Sequence, residues 1–112
     1  MVRKYNQLPQ VAFSILLALS LKERHGYEII KQVAEDSGGK LKLSPGALYT
    51  SIKQLHEQGL IEETAQDNDT RRRYYRLTKN GKATLGDEVA YYQNSVLLAQ
   101  KRHILESGIL YA

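Results

Sequence analysis

Apolar residues fill nearly every position from Val11 to Leu21, broken only by Ser14 and Ser20, and Pro9 stands just ahead of them. That density predicts a helix buried almost all round and begun near Pro9, whose ring suits a first helical position. The stretch shares its basic start, apolar run and small residues Ala18 and Ser20 with a secretory leader, but it is too short to span a bilayer and fits a core helix better. After "KERHG" the period changes, and Tyr27, Ile30, Val33 and Ala34 lie at helical spacing in a second helix from Gly26 to Asp36. "SGGK" ends it, because glycine tolerates the left-handed conformation at a helix C-terminus. The alternating "KLKLS" that follows can add a small extended pairing.

Ser44-Pro45 is a start signal: the hydroxyl accepts from an orphan amide two or three residues on, and proline costs nothing in the first turn. The third helix then runs to about Gln58, with a core stripe of Leu48, Ile52 and Leu55 opposite a face of Gly46, Thr50, Lys53, Gln54 and Glu57. Gly59 closes it. "LIEETAQ", the turn-rich "DNDT" and "RRRYYRLT" read as a β-hairpin, in which a period of two sends Tyr75 and Leu77 to the core and leaves the arginines at the tip. Thr78 caps a last helix expected to reach near Glu106, where Leu85, Val89, Tyr92, Val96, Ala99 and His103 repeat at four, three, four, three, four. Such a heptad seam, on a long helix appended to a small domain, predicts dimerisation.

Composition adds constraints. The chain has 112 residues, 42% of them hydrophobic, enough for one domain with a packed core. It has no cysteine, which removes disulfides and thiolate metal sites and favours a reducing compartment. The net charge of +4 is modest but concentrated: Arg71, Arg72, Arg73, Arg76, Lys79 and Lys82 follow one another with no acid among them. Three helices, a hairpin and a further helix describe a mainly α fold with a small β-hairpin, α+β in class: a winged helix-turn-helix domain over residues 1–78 and a dimerisation helix over 79–112.

In that layout the third helix enters a major groove of double-stranded DNA and the arginines occupy a wing tip, where guanidinium forks pair with phosphates or enter a narrow minor groove. The residues expected at DNA are Gly46, which lets the backbone approach, Thr50, Lys53, Arg71, Arg72 and Arg73. Tyr49, beside the core stripe, either reaches DNA or packs against the hairpin. Leu85, Val89, Tyr92, Val96 and Ala99 would form the dimer seam. A homodimer of this kind fits a palindromic operator. The other reading is a winged-helix protein-interaction module whose wing meets an acidic protein surface.

Catalysis finds no support. His25 sits at a helix junction, the usual place for a cap; His56 flanks the third helix, and no two histidines have metal-ligand spacing. The pairs Glu62-Glu63 and Asp87-Glu88 are neighbours that point to different sides, and Gly38-Gly39 lacks the lysine and helix of a phosphate loop. No catalytic residue, metal or other cofactor is expected, and no transmembrane segment.

"HGYEI" at His25 to Ile29, "SPGALYTSIKQLHEQGLI" at Ser44 to Ile61 and "RRRYYRLTKNG" at Arg71 to Gly81 together resemble the PadR family of bacterial transcriptional regulators. The resemblance covers roughly three quarters of the chain and is specific in the order of its parts, above all "GALY" followed by "YYRLT". It implies a cytoplasmic homodimeric repressor with an N-terminal winged helix and a C-terminal dimerisation helix, often relieved by a small-molecule effector; the short C-terminal part resembles the smaller members. Thr50 stands where many relatives have proline. The chain has no tryptophan, so a flat ligand stacked on one in the dimer cavity, as in one branch of the family, is not available. Tyr91 and Tyr92 offer aromatic faces instead, or simply pack.

Overall fold

A computed structural model describes residues 8–64 and 72–103. The elements run α1 (Gln10–Leu21), β1 (Arg24–His25), α2 (Gly26–Asp36), α3 (Pro45–Glu57), β2 (Ile61–Glu63), β3 (Tyr74–Leu77) and α4 (Lys79–Lys101). The α+β reading holds, with one strand more than the hairpin requires: the sheet has three strands in the order β1-β3-β2, both pairings antiparallel.

The first helix is the centre of the molecule, as its density of apolar residues demands. Ala12, Ile15, Leu16, Ala18 and Leu19 are buried against α2, α3, β3 and α4. Pro9 does not open the helix from the first helical position. It is the residue before it, in an extended conformation, and its carbonyl accepts from Phe13 at 2.9 Å. At the other end the carbonyl of Ala18 accepts from Nε of Arg24, 2.9 Å away. Arg24 is only 9% exposed, so its guanidinium satisfies a helix C-terminus from within the core and opposes the negative end of the helix dipole. Arg24→Ala should lower stability by about 1–3 kcal/mol, because it strands a buried carbonyl; a melting curve unchanged to within a degree would show the interaction to be idle.

Two expectations are corrected around α2. Its buried side-chain stripe is Ile29 and Val33, with Ile30 and Ala34 half-buried, and Tyr27 is 67% exposed. A single-residue offset rotates a helix by about 100°, and the Ile29-Ile30 pair gave the periodicity two nearly equal solutions. "KLKLS" joins no strand; Leu43 is buried, and the pairing place beside β3 is taken by Arg24 and His25, opposite Tyr75 and Tyr74. Gly38 and Gly39 do end α2, both at positive φ.

The third helix is capped as the sequence predicts, Ser44 Oγ accepting from the Ala47 amide at 3.1 Å, and Leu48, Ile52 and Leu55 are buried. In the hairpin Ile61 lies opposite Leu77 and Glu62 opposite Arg76. Tyr75 and Leu77 point into the core, while Arg76 and Glu62 form a 2.7 Å ion pair on the outer face. The hairpin tip, residues 65–71, lies outside the described residues and includes Arg71.

The Thr78 hydroxyl does two things at once: it accepts from the Gly81 amide at 3.0 Å, capping α4, and donates to the Gly59 carbonyl at 2.6 Å. Gly81 itself lies against Leu60 so closely that a Cβ there would overlap the Leu60 carbonyl oxygen, which is held in place by the Thr78 amide at 3.1 Å. Alanine in place of glycine gains about 1 kcal/mol in a free helix, but here a backbone atom would have to move. Gly81→Ala should therefore destabilise, by a net of about 2–3 kcal/mol in chemical unfolding; a stabilised variant would mean that α4 can shift without cost. The last helix ends at Lys101, short of Glu106, and His103 follows it at a positive φ of 61°.

Candidate nucleic-acid interface

Local structure leaves the described candidates of α3 and the wing root exposed. Burial of Leu48, Ile52 and Leu55 fixes the roll of α3, so Gly46, Tyr49, Thr50, Lys53, Gln54 and Glu57 are left exposed. Apart from Tyr49, this is the polar face read from the sequence. On the wing, burial of Tyr75 and Leu77 fixes the roll of β3, and Arg72 and Arg73 are exposed at its approach.

Tyr49 joins the two elements. It lines a cavity of about 430 Å³ together with His25, Gly26, Tyr27, Arg72, Arg73 and Tyr75. On its other side is a hollow of about 340 Å³ whose walls include Lys53, His56, Glu63 and Arg73. Half of Tyr49, 52% of its surface, is exposed, and its hydroxyl rests so close to Gly26 at the start of α2 that a side chain there would collide with it. Glycine at position 26 thus allows α2 to begin directly beneath the tyrosine.

The charges are partly committed. Arg73 Nε lies 3.9 Å from Glu63, a loose and exposed pair, and Arg76 is held by Glu62. Arg72 Nη1 lies 3.2 Å from His25 Nε2. Burial is the main cause, with Glu63 and then Tyr49 adding to it, that holds the Tyr75 phenol above its ordinary value against the pull of Arg73. The phenol therefore stays neutral at physiological pH.

His25 caps α2. Its Nδ1 accepts from the Glu28 amide at 3.3 Å, while Glu28 Oε1 accepts from the His25 amide at 3.2 Å, a reciprocal capping box. The helix-junction role read from the sequence is the one observed. What the sequence did not reveal is that His25, Gly26 and Tyr27 share a cavity with Arg72 and Arg73; nothing local signals a meeting across 47 positions.

Along α4 the seam residues divide. Leu85 is buried in the domain's own core, and Tyr92 is half-buried with its ring edge on Phe13, 5.2 Å between centroids. Ala99 is half-buried, whereas Val89 and Val96 are 42% and 44% exposed. Tyr91, Leu97 and Leu98 are exposed as well. Phe13 and Tyr92, with Leu8, Pro9 and Gln10, border an open hollow of about 700 Å³ between α1 and α4. Among the described residues no group of His, Asp and Glu could hold a metal ion, and no helix is long and apolar enough to cross a membrane.

Comparison with known proteins agrees with this layout. The family model described as "Transcriptional regulator PadR-like family" matches residues 15–87. The transcriptional regulator YqjI of Escherichia coli K12 is 36% identical over 67 residues, which are 60% of this chain but 31% of that protein. The crystal structure of a PadR family transcription regulator from Clostridium difficile R20291 superposes with a TM-score of 0.73 at 27% identity, over 83% of this chain and 97% of that one. The structure of RosR from H. salinarum gives 0.71 at 25% identity, over 83% and 81%.

Proposed function

Because the chain belongs to the PadR-like family of transcriptional regulators, we propose that it binds DNA as a homodimeric repressor through the surface formed by α3 and the wing. One observation supports the reading: Tyr49, on the exposed face of α3, lines one hollow with Arg72 and Arg73 and a second with Lys53 and Arg73. Thr50 and Lys53 then meet base edges or phosphates in the major groove, and Arg71, Arg72 and Arg73 meet the adjoining backbone.

Two protomers associate along α4 through Val89, Val96 and Ala99, with the outer edge of Tyr92 completing the seam. Residues 1–78 act as the reading domain and 79–112 as the dimerisation arm, set on a palindromic operator with half-sites one helical turn or a multiple apart. The hollow bordered by Phe13 and Tyr92 offers an effector a place between the two modules. An effector there relieves repression only by binding the released state more tightly than the DNA-bound one. The protein works in the cytoplasm, where its DNA is.

The test is fluorescence anisotropy of a labelled mixed-sequence duplex at several salt concentrations. Saturable binding should weaken with a slope of about 0.9 log units per log unit of salt for each neutralised phosphate. No binding at low salt would overturn this function and leave the winged helix as a protein-interaction module.

A further inference from the structure

Among the described residues, one buried side chain meets hydrogen-bond donors on both sides of its ring. His25 is 6% exposed, and both of its ring nitrogens face donors: the Glu28 amide lies 3.3 Å from Nδ1, and Arg72 Nη1 lies 3.2 Å from Nε2. A neutral imidazole has one accepting nitrogen and one N–H, and a guanidinium only donates. Either tautomer therefore sets an N–H against an N–H on one side of the ring, and a doubly protonated ring does so on both. The Glu28 carboxylate does not remove the conflict. Its Oε1 is 3.5 Å from Nε2, long for a hydrogen bond, and it already accepts from the His25 amide at 3.2 Å.

His25 and Arg72 both line the cavity of about 430 Å³ beside Tyr49, and Arg73 lines it too. Among the described residues, none that forms its walls is acidic. Gly26 and Tyr27 complete the side formed by the start of α2. Two guanidiniums and a ring nitrogen set against a donor call for the same thing, an oxyanion.

We propose that this cavity seats one backbone phosphate of the DNA, with His25 Nε2–H as one of its donors. The proposal rests on the DNA-binding reading above and extends it to a third element, the start of α2. A phosphate oxygen placed between Nε2 and Arg72 accepts from both. The proton then belongs on Nε2, Nδ1 keeps its lone pair for the Glu28 amide, and the cap and the wing cease to compete for the same ring. Binding of the phosphate thereby fixes one tautomer and ties the wing root to α2 through the ligand.

The test is ¹⁵N NMR of protein labelled at the histidine ring nitrogens, free, with a duplex, and with inorganic phosphate alone. It is paired with the variant His25→Asn, which keeps a good N-cap acceptor but has no donor that reaches the cavity. On adding duplex, the His25 signals should move to a single neutral tautomer with Nε2 protonated and Nδ1 bare. His25→Asn should melt within a few degrees of the wild type and bind the duplex about tenfold more weakly, the effect of one hydrogen bond to a charged group. Unmoved ring signals in a wild-type complex that does form would overturn the seat, and so would undiminished binding by His25→Asn. A shift with inorganic phosphate but none with bound duplex would also overturn it, since the anion taken would then not be that of DNA. A wild-type protein that binds no duplex at all fails at the earlier step, and the anisotropy titration identifies that failure separately.

Discussion

Replacing Arg71, Arg72 and Arg73 together by Ala is expected to weaken binding to every duplex by about a hundredfold and to flatten the salt dependence. Arg72 and Arg73 are exposed at the wing root, so their removal opens no cavity in the core and should leave the melting temperature within a few degrees of the wild type. Each phosphate that is no longer neutralised lowers the salt slope by about 0.9. Because Arg73 is already near Glu63, at 3.9 Å, its share should be less than that of a free guanidinium, and a total drop of about 2 is the expected value. The weakening should be uniform across sequences, since phosphate-binding groups orient the protein without reading bases. An unchanged slope would remove the wing from the interface.

The second large effect concerns α4. Val89 and Val96 are 42% and 44% exposed in the single chain, so an aspartate at either position can be hydrated while the protomer stands alone. In a packed seam it cannot, and burying an unpaired carboxylate is prohibitive. Val89→Asp with Val96→Asp should therefore give a folded protein that sediments as a monomer. Its affinity for a palindromic site should fall by about 10²- to 10⁴-fold, the avidity forfeited when two linked reading heads become one. Leu85→Asp is the control that should behave differently, because Leu85 lies in the domain's own core and its replacement should unfold the protomer. A double variant that still sediments as a dimer would place the seam between protomers elsewhere.

Much of this architecture was legible along the chain, and the reasons are local. Ser44 and Thr78 cap helices whose first turns follow at once, and both caps are formed with the hydroxyl geometry expected. Leu48, Ile52 and Leu55 repeat at helical spacing, and Tyr75 and Leu77 alternate as a strand requires, so the faces they turn outward followed from the faces they bury. The features that escaped depend on distance in sequence. Arg24–His25 becomes a strand only because Tyr74–Tyr75 passes beside it, and two residues carry no period of their own. Tyr27 has helical spacing to apolar neighbours, yet it is Ile29 and Val33 that α2 turns inward. The end of α4 escaped for the opposite reason: the heptad pattern continues past Lys101 although the helix does not.

The hydroxyl of Thr78 bonds both to the first turn of α4 and to Gly59, the residue that closes α3. One oxygen atom thus serves as a corner bracket between the end of α3 and the start of α4. In the proposed dimer the interval between reading heads is then a fixed gauge rather than an adjustable one. One base pair inserted between half-sites rotates them by about 35°, and with the bracket intact that rotation falls on the DNA as torsion. In that dimer the same atom that caps a helix would set the tolerance of the operator to insertions.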